Sequence, residues 1–346
     1  MILLHLNDAL YVQPYDKQLI FHTPGNMQSI SDNQEQVLEI LQVIKSVGDA
    51  GQQVVYEEVL KSIDISKSDF DNMLEFLIEE NIIKYDIENL NPLSSKSLEK
   101  FDRQIRSFAT LAGNCKSDAY KFQHKIENAH IAVLGLGGVG SYVAYGLASM
   151  GIGKLSLIEF DNIELSNTSR QMLYQECDVG QSKIDIATGK LQLTNPETKI
   201  LAHPKRVQSV DDLSPLLFGV DILILAADTP RGKIVYLAAE ACQIVKCAFV
   251  YGMPLAHNII CGPLIIPGTT RSYDEIFPPI KDTEDKRIDY INSGFAATVI
   301  DPYNAIAAKT VVLECIKYIS GFSPCRIVDH VLNINTDHWT LDIQKV

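Results

Sequence analysis

Four glycines near the middle of the chain have the spacing of a loop that binds phosphate. Gly135, Gly137, Gly138 and Gly140 form G-x-G-G-x-G between an apolar run and a helical pattern. Glycines let the backbone turn tightly and approach phosphate oxygens, whose charge a helix N-terminus stabilises. Glu159 closes the next predicted strand, where a carboxylate commonly binds ribose hydroxyls. The pattern predicts a nucleotide site without saying which nucleotide binds.

The residues that follow favour cleavage of ATP over hydride transfer. Arg170 and Lys183 supply positive charge, and Asp228 ends a later predicted strand, where a carboxylate can hold Mg²⁺. An enzyme that breaks ATP must stabilise negative charge as pyrophosphate leaves, whereas a dehydrogenase leaves its pyrophosphate intact. An NAD-dependent oxidoreductase is therefore disfavoured, and binding of NAD without ATP would reverse this interpretation.

The elements around these residues alternate between strand and helix. The pattern over 128–346 predicts an α/β domain with a Rossmann-like, mostly parallel sheet. Predicted strands cover 129–135, 154–161, 220–228 and 248–254, and predicted helices cover 138–151, 181–195, 232–245 and 302–321. An antiparallel continuation at 258–268 and a C-terminal hairpin follow from alternation. The irregular segment at about 269–298 is predicted to be a loop that crosses near the active site.

Residues 1–90 are predicted to form a separate small domain. A hairpin at 9–24 precedes three amphipathic helices, which is the plan of a winged helix-turn-helix. Ser31 and Gln34 have the spacing of a capping box for the first helix. The third helix is acidic, which argues against DNA and favours peptide binding; a packing or dimerisation module is the alternative. Residues 91–127 are predicted to be a linker with lead-in helices.

Composition excludes several classes of protein. The formal net charge of −13 argues against nucleic acid as a partner. The N-terminus lacks a basic start and meets Asp8 early, so we expect no secretory signal. No apolar run approaches the ~20 residues of a membrane helix. Seven cysteines without a C-x-x-C pair argue against a disulfide framework and a cysteine zinc site. These features predict a cytoplasmic protein.

Five motifs, taken in order, resemble those of the E1-like adenylating enzymes, the family of the ThiF, MoeB and HesA types. The resemblance covers roughly residues 100–320 and is carried by "DRQ" at 102–104, "GLGGVGS" at 135–141, "EFDNIELSNTSRQ" at 159–171, "VGQSK" at 179–183 and "AADTP" at 226–230. The resemblance implies ATP and Mg²⁺ as cofactors and a homodimer.

The resemblance also implies a role for each matched residue. Nucleotide-binding positions are Gly135, Gly137, Gly138, Gly140, Glu159, Asp161, Asn167, Arg170, Gln171 and Lys183, with Glu159 on the ribose where the family commonly has Asp. Lys183 would stabilise the α-phosphate, and Asp228 would coordinate Mg²⁺. Arg103 would reach the phosphates of the partner subunit; a surface ion pair is the alternative for it. Arg170, Lys183, Asp228 and Arg103 are thus the predicted catalytic residues.

This chain departs from many members of the family. It lacks the two C-x-x-C pairs that hold a structural zinc, so no zinc is predicted, and it has no convincing thioester cysteine. A winged-helix unit in front of the adenylating domain is similar to the peptide-maturation branch, whose front domain binds a precursor peptide, often at the edge of its strand pair. The branch implies adenylation of a peptide carboxylate in peptide antibiotic biosynthesis.

Several functions remain open at this point. Pantocin-like activation of a glutamate side chain followed by cyclisation is favoured, and microcin C-like attachment of AMP to a peptide C-terminus is the alternative. Activation of a ubiquitin-like sulfur-carrier protein is a second alternative, disfavoured because simple carrier activators need no N-terminal domain. A non-catalytic binding protein is a third, disfavoured because Arg170, Lys183 and Asp228 are intact.

Overall fold

The chain divides into two compact units, residues 1–124 and 125–346. The structure is a computed structural model that describes residues 2–86, 91–111, 115–279 and 298–346. Most of the predicted crossing loop at 269–298 lies outside the described residues. Its described beginning contains the short helix Tyr273–Ile276. The predicted domain boundaries near 90 and 127 stay predictions.

The first unit combines short strands with helices. Its strands are β1 (Leu3–Leu6), β2 (Tyr11–Tyr15), β3 (Gln18–Thr23), β4 (Asn26–Ile30) and β5 (Ile83–Asp86). Its helices are α1 (Gln34–Asp49), α2 (Tyr56–Lys61), α3 (Lys67–Glu79), α4 (Ser95–Lys100), α5 (Asp102–Thr110) and α6 (Lys116–Asn128), whose last turn belongs to the second unit. The strands β2, β3 and β4 form an antiparallel meander, and β1 pairs with β5.

The helices α1, α2 and α3 enclose one apolar core together with strands β1, β3 and β5. Ile40 and Ile44 of α1 and Phe70 and Leu77 of α3 recur at helical spacing and are fully buried, as the sequence pattern predicts. The predicted hairpin is present but gains a third strand, β4, whose mixed polar sequence gave no strand signal. The predicted capping box is wrong. The N-cap of α1 is Asn33, without a side-chain cap, and Gln34 Nε2 donates instead to the carbonyl groups of Ser31 and Lys17.

The second unit is built on an eight-stranded sheet. Its strands are β6 (His130–Leu134), β7 (Lys154–Ile158), β8 (Lys199–His203), β9 (Ile222–Leu225), β10 (Ala248–Leu255), β11 (Asn258–Cys261), β12 (His330–Asn335) and β13 (Thr340–Lys345). Its helices are α7 (Gly138–Ser149), α8 (Lys183–Thr194), α9 (Val210–Leu213), α10 (Ile234–Val245), α11 (Tyr273–Ile276) and α12 (Asp301–Ser320). Short 3₁₀ turns cover Leu165–Asn167, Glu176–Asp178 and Ser214–Leu217.

The order of the sheet is β13-β12-β11-β10-β9-β6-β7-β8. The strands from β8 to β10 run parallel, and those from β10 to β13 run antiparallel. This confirms the predicted α/β class with a mostly parallel core. Residues 199–203, the edge strand β8, were not predicted because their side chains are only partly buried and carry a weak apolar pattern.

The helix α12 packs on α7 and on the strands β10 and β11 of the second unit. On α12, Asn304 lies against Gly138 of α7, and Val312 lies against Gly146 of α7. A Cβ on Gly146 of α7 would come within 3.1 Å of Lys309 Nζ and 3.4 Å of a Val312 methyl group, so the two helices pack closely at this point. Among the described helices, none combines the length and the apolar character needed to span a bilayer.

Candidate nucleotide site

The predicted site residues of the second unit gather where the strand order reverses. β6 has β7 on one side and β9 on the other, so the connections after β6 and β9 diverge at the carboxyl edge of the sheet. Such a switch point is where open α/β sheets bind ligands. Gly135 follows β6, Glu159 follows β7, and Asp228 lies in the loop after β9.

The glycines of the loop serve two different purposes. Gly135 has φ of +91° and lies against the backbone of Ala227, and a Cβ on Gly140 would come within 1.9 Å of the carbonyl oxygen of Gly135. Gly138 lies against the side chain of Asn304. These three are required by packing. A Cβ on Gly137 would have one neighbour within 4 Å, a side-chain nitrogen at 3.8 Å, so the loop is open at this residue.

The open glycine stands at a helix N-terminus. Gly137 is the N-cap of α7 and provides no side-chain cap for the first amide groups. These amides and the helix dipole attract an anion, and the open space at Gly137 lets a phosphate approach the backbone. The loop therefore fits the phosphates of a nucleotide.

Glu159 binds the backbone of the glycine loop. Its side chain is buried, with 5% exposure, and Oε2 accepts a hydrogen bond from the Leu136 amide at 2.8 Å. Oε1 accepts from the amides of Phe160 and Asp161 at 2.7 and 3.0 Å. A carboxylate has about four acceptor positions, so one remains for a ribose hydroxyl. Fixing the loop to β7 is a role that the sequence did not predict.

Lys183 is a buried cation at the start of α8. The residue is 6% exposed, and its Nζ lies 3.4 Å from Oδ2 of Asp161, the ion-pair partner recorded for it in the described part of the chain. The Lys183 amide also donates to the carbonyl oxygen of Asp161 at 3.0 Å. An ammonium group has three donors, so a single long ion pair leaves donors for a phosphate oxygen.

The turn from Asn167 to Gln171 uses its polar side chains unequally. Asn167 is buried, and its Oδ1 accepts from the Glu164 amide at 3.1 Å, which closes the 3₁₀ turn. The guanidinium of Arg170 donates to the carbonyl oxygen of Ser166 within the same turn. Gln171 is buried, and its Oε1 has no hydrogen-bond partner among the described residues. A buried acceptor without a donor is costly, so Gln171 favours a bound ligand here.

The other two predicted catalytic residues are exposed. The Asp228 side chain is 75% exposed and lies 3.8 Å from Arg231 Nη2. Among the described residues, no cluster of three His, Cys, Asp or Glu side chains can hold a metal. A lone accessible carboxylate fits Mg²⁺ that keeps water and nucleotide phosphates as its other ligands. Arg103 lies on α5 of the first unit, is 95% exposed, and lies 3.8 Å from the Asp102 carboxylate.

Three residues that sequence reasoning missed support the glycine loop. Tyr174 is buried and donates to the carbonyl oxygen of Leu136 at 3.0 Å, and burial raises the pKa of its phenol, which keeps it a donor. Ser141 Oγ donates to the carbonyl oxygen of Gly138 and accepts from the Met172 amide. Asn304 lies over Gly138. In the sequence, a polar Asn304 within the mostly apolar helix pattern at 302–321 was a signal that could have indicated this support.

The family follows from a comparison with known proteins. A model of the ThiF family matches residues 101–346. The chain belongs to the ThiF family. The predicted E1-like resemblance is therefore confirmed over most of the chain, including the glycine loop and the turn that carries Arg170.

Similar proteins agree with this family. The sulfur carrier protein adenylyltransferase of Thermus thermophilus is 33% identical over 130 residues, which are 38% of this chain and 47% of that protein. The chain spans less than half the length of the first curated relatives that it matches.

Two solved structures share the fold. E. coli MccB, solved with MccA-N7isoASN, has a TM-score of 0.82 at 24% identity and covers 100% of this chain and 96% of its own. PaaA has a TM-score of 0.73 at 20% identity, with 98% of this chain and 99% of its own covered. Both cover the first unit as well as the second, so the likeness extends beyond the family's nucleotide domain.

Proposed function

We propose that this ThiF-family protein adenylates a carboxylate of a ribosomally made precursor peptide with ATP. The observation that carries the proposal is Lys183, a buried cation with spare donors at the same sheet edge as the uncapped glycine loop. A site that only holds a dinucleotide needs no such cation. E. coli MccB, whose fold the chain shares, has been solved with ATP and with N-formylated MccA.

In the proposed reaction, a carboxylate oxygen of the peptide attacks the α-phosphorus of ATP. The bond from that phosphorus to the bridging oxygen breaks, which gives an acyl adenylate and pyrophosphate. Lys183 donates to α-phosphate oxygens, and the amides at Gly137 and Gly138 bind the phosphates. Arg170 exchanges the Ser166 carbonyl oxygen for a phosphate oxygen. Asp228 would hold Mg²⁺, which would supply further positive charge.

The first unit is the proposed recognition domain for the peptide. In its described meander, both β2 and β4 have an outer edge without a paired strand. Pro14 deprives the β2 edge of an amide donor, whereas β4 contains no proline, so β4 is the better edge for an added peptide strand. Residues 2–86 carry fifteen acidic and five basic residues, which favours a basic peptide segment.

Within this proposal, activation of a glutamate side chain and ring closure by the same peptide is the favoured outcome. Attachment of AMP to the peptide C-terminus is the alternative. A partner copy would supply Arg103 in a homodimer, which its 95% exposure permits. A cytoplasmic location is part of the proposal and is supported by seven free cysteines.

Activation of a sulfur-carrier protein is the second candidate function. Its support is the similarity of this chain to the sulfur carrier protein adenylyltransferase of Thermus thermophilus. The match to that relative covers only 38% of this chain. The acidic first unit with its open strand edge favours the peptide as the substrate.

Mass spectrometry of peptides encoded beside the gene, incubated with the protein and Mg·ATP, separates these outcomes. A peptide that gains AMP supports the microcin C-like reaction, and a peptide that loses water or carbon dioxide supports cyclisation. An adenylated sulfur-carrier protein with unmodified peptides would support the second candidate and reject the peptide proposal.

A further inference from the structure

Asn304 occupies an unusual place for a polar residue. It lies in the first turn of α12, is 2% exposed, and belongs to the face that packs on α7. Its neighbours in the next turn of α12, Ala307 and Ala308, are buried, small and apolar. A buried carboxamide requires hydrogen-bond partners, so its contacts indicate its purpose.

The carboxamide of Asn304 lies between two parts of the nucleotide site. A Cβ built on Gly138 would come within 2.5, 2.8 and 2.9 Å of Asn304 Nδ2, Cγ and Oδ1, so the amide group covers the Cα of that glycine. Nδ2 donates to the main-chain carbonyl oxygen of Arg170 at 3.4 Å. One side chain therefore contacts both the glycine loop and the turn that carries the predicted catalytic arginine.

The start of α12 is itself fixed to the helix that follows the glycine loop. The Tyr142 hydroxyl of α7 donates to Oδ1 of Asp301, the first residue of α12. Burial and this hydrogen bond raise the pKa of Tyr142 to about 12, so the phenol remains a donor at neutral pH. Asn304 thus projects from a helix end whose position relative to α7 is fixed.

The turn around Arg170 is also hydrogen-bonded to α7. The Met172 amide donates to Ser141 Oγ of α7 at 3.1 Å. This bond fixes the turn after Arg170, whereas Asn304 fixes the Arg170 backbone. The guanidinium is held by the carbonyl of Ser166 and not by the loop. Once the guanidinium leaves the Ser166 carbonyl oxygen, its reach therefore depends on the position of the Arg170 backbone, which Asn304 holds.

We propose that Asn304 is a positioning residue that sets the backbone of Arg170 against the glycine loop, so that the guanidinium reaches the phosphates. The inference rests on the proposed adenylation and goes beyond it, because it assigns a rate effect to a side chain outside the family motif. A displacement of about 1 Å in such a group can reduce a rate ~10²-fold.

The test is a double-mutant cycle on the rate of ATP–pyrophosphate exchange in the full chain. We expect Asn304→Ala to reduce the exchange rate at least ~10-fold, by analogy with other misplaced groups. In an Arg170→Ala background the same change should have almost no further effect. In a Lys183→Ala background the full factor should persist. An equal factor in all three backgrounds would mean that Asn304 is merely structural and would overturn the proposal.

Asn195→Ala is the matched control. Asn195 is also 2% exposed, belongs to the same unit, and donates to Thr198 Oγ1 at 2.9 Å after the end of α8. Its loss should lower the melting temperature as Asn304→Ala does, with an unchanged exchange rate. If both variants lowered the exchange rate equally, the positioning role would be rejected.

A failure of the proposed function is distinguishable from a failure of this inference. If the natural protein showed no exchange with any carboxylate, the adenylation proposal would fail. The cycle would then be repeated on the affinity for a non-hydrolysable ATP analogue. Non-additive losses for Asn304→Ala and Arg170→Ala would support positioning, and additive losses would overturn it.

Discussion

The ammonium of Lys183 lies 3.4 Å from the carboxylate of Asp161, and the lysine is 6% exposed. Asp161 is half-exposed, so water screens its side of the pair. A phosphate oxygen that approached Lys183 would therefore meet a cation that is buried but incompletely paired. This relationship is the basis of the first prediction.

Replacing Lys183 by alanine should reduce pyrophosphate release on the order of 10²-fold or more, because a charge that stabilises the leaving pyrophosphate is lost. Lys190→Ala is the control on the same helix. Lys190 pairs with Asp178 at 2.6 Å and should affect stability rather than chemistry. Single-turnover release of pyrophosphate measures both variants. Equal rates of pyrophosphate release in the two variants would show that Lys183 takes no part in the reaction.

Replacing Glu159 by glutamine should destabilise the protein. The carboxylate accepts three amide hydrogen bonds, and the glutamine NH₂ group would face at least one amide donor. A buried donor left without an acceptor costs about 1–3 kcal/mol. Urea unfolding of the variant gives this loss, with the exposed Glu176→Gln as control. An unchanged unfolding midpoint for Glu159→Gln would show that the loop does not depend on these bonds.

Replacing Gly140 by alanine should weaken ATP binding at least ~10-fold, since a loop shift of about 1 Å misplaces the phosphate-binding amides. The new Cβ would come within 1.9 Å of the Gly135 carbonyl oxygen, so the loop must move. Gly189→Ala is the control within α8, where the Cβ would meet nothing within 4 Å. That change should stabilise the helix by ~0.5–1 kcal/mol. Isothermal titration with ATP compares the two, and equal affinities would contradict the role of the loop.

Lowering the pH should destabilise the protein through His130. One ring nitrogen is 2.8 Å from the Gly219 carbonyl oxygen, and the other is 2.8 Å from Ser156 Oγ. Burial lowers the pKa of His130 below its usual 6.5. The unfolded chain therefore binds the proton first as the pH falls below 6.5, and the free energy of unfolding falls with it. His130→Gln should flatten the dependence of the free energy of unfolding on pH between pH 7.5 and 5.5. An unchanged slope would show that His130 does not cause this dependence.

The local motifs of the site were predictable because they depend on neighbours in the chain. The spacing of Gly135 to Gly140 places a turn at the end of β6 whatever the rest of the fold does. Lys183 was matched to the family by its motif, but its burial and its pair with Asp161 emerge only when α8 packs. Sequence spacing therefore located the groups, and tertiary packing determined their environment.

The supports of the site were not predictable, since they come from distant parts of the chain. Asn304 contacts Arg170 across 134 positions, and no local pattern announces that contact. The pairing of β1 with β5 joins two strands of four residues that are separated along the chain by three strands and three helices. Glu159 was expected to bind a ribose, and nothing in its neighbourhood along the chain indicated its bond to Leu136.

Activation of a peptide carboxylate by ATP can be measured as ATP–pyrophosphate exchange with labelled pyrophosphate, with and without the neighbouring peptide. We expect exchange that requires the peptide, persists in Lys190→Ala and falls on the order of 10²-fold in Lys183→Ala. Exchange that was absent with every peptide and appeared only with a sulfur-carrier protein would show that the peptide is not the substrate.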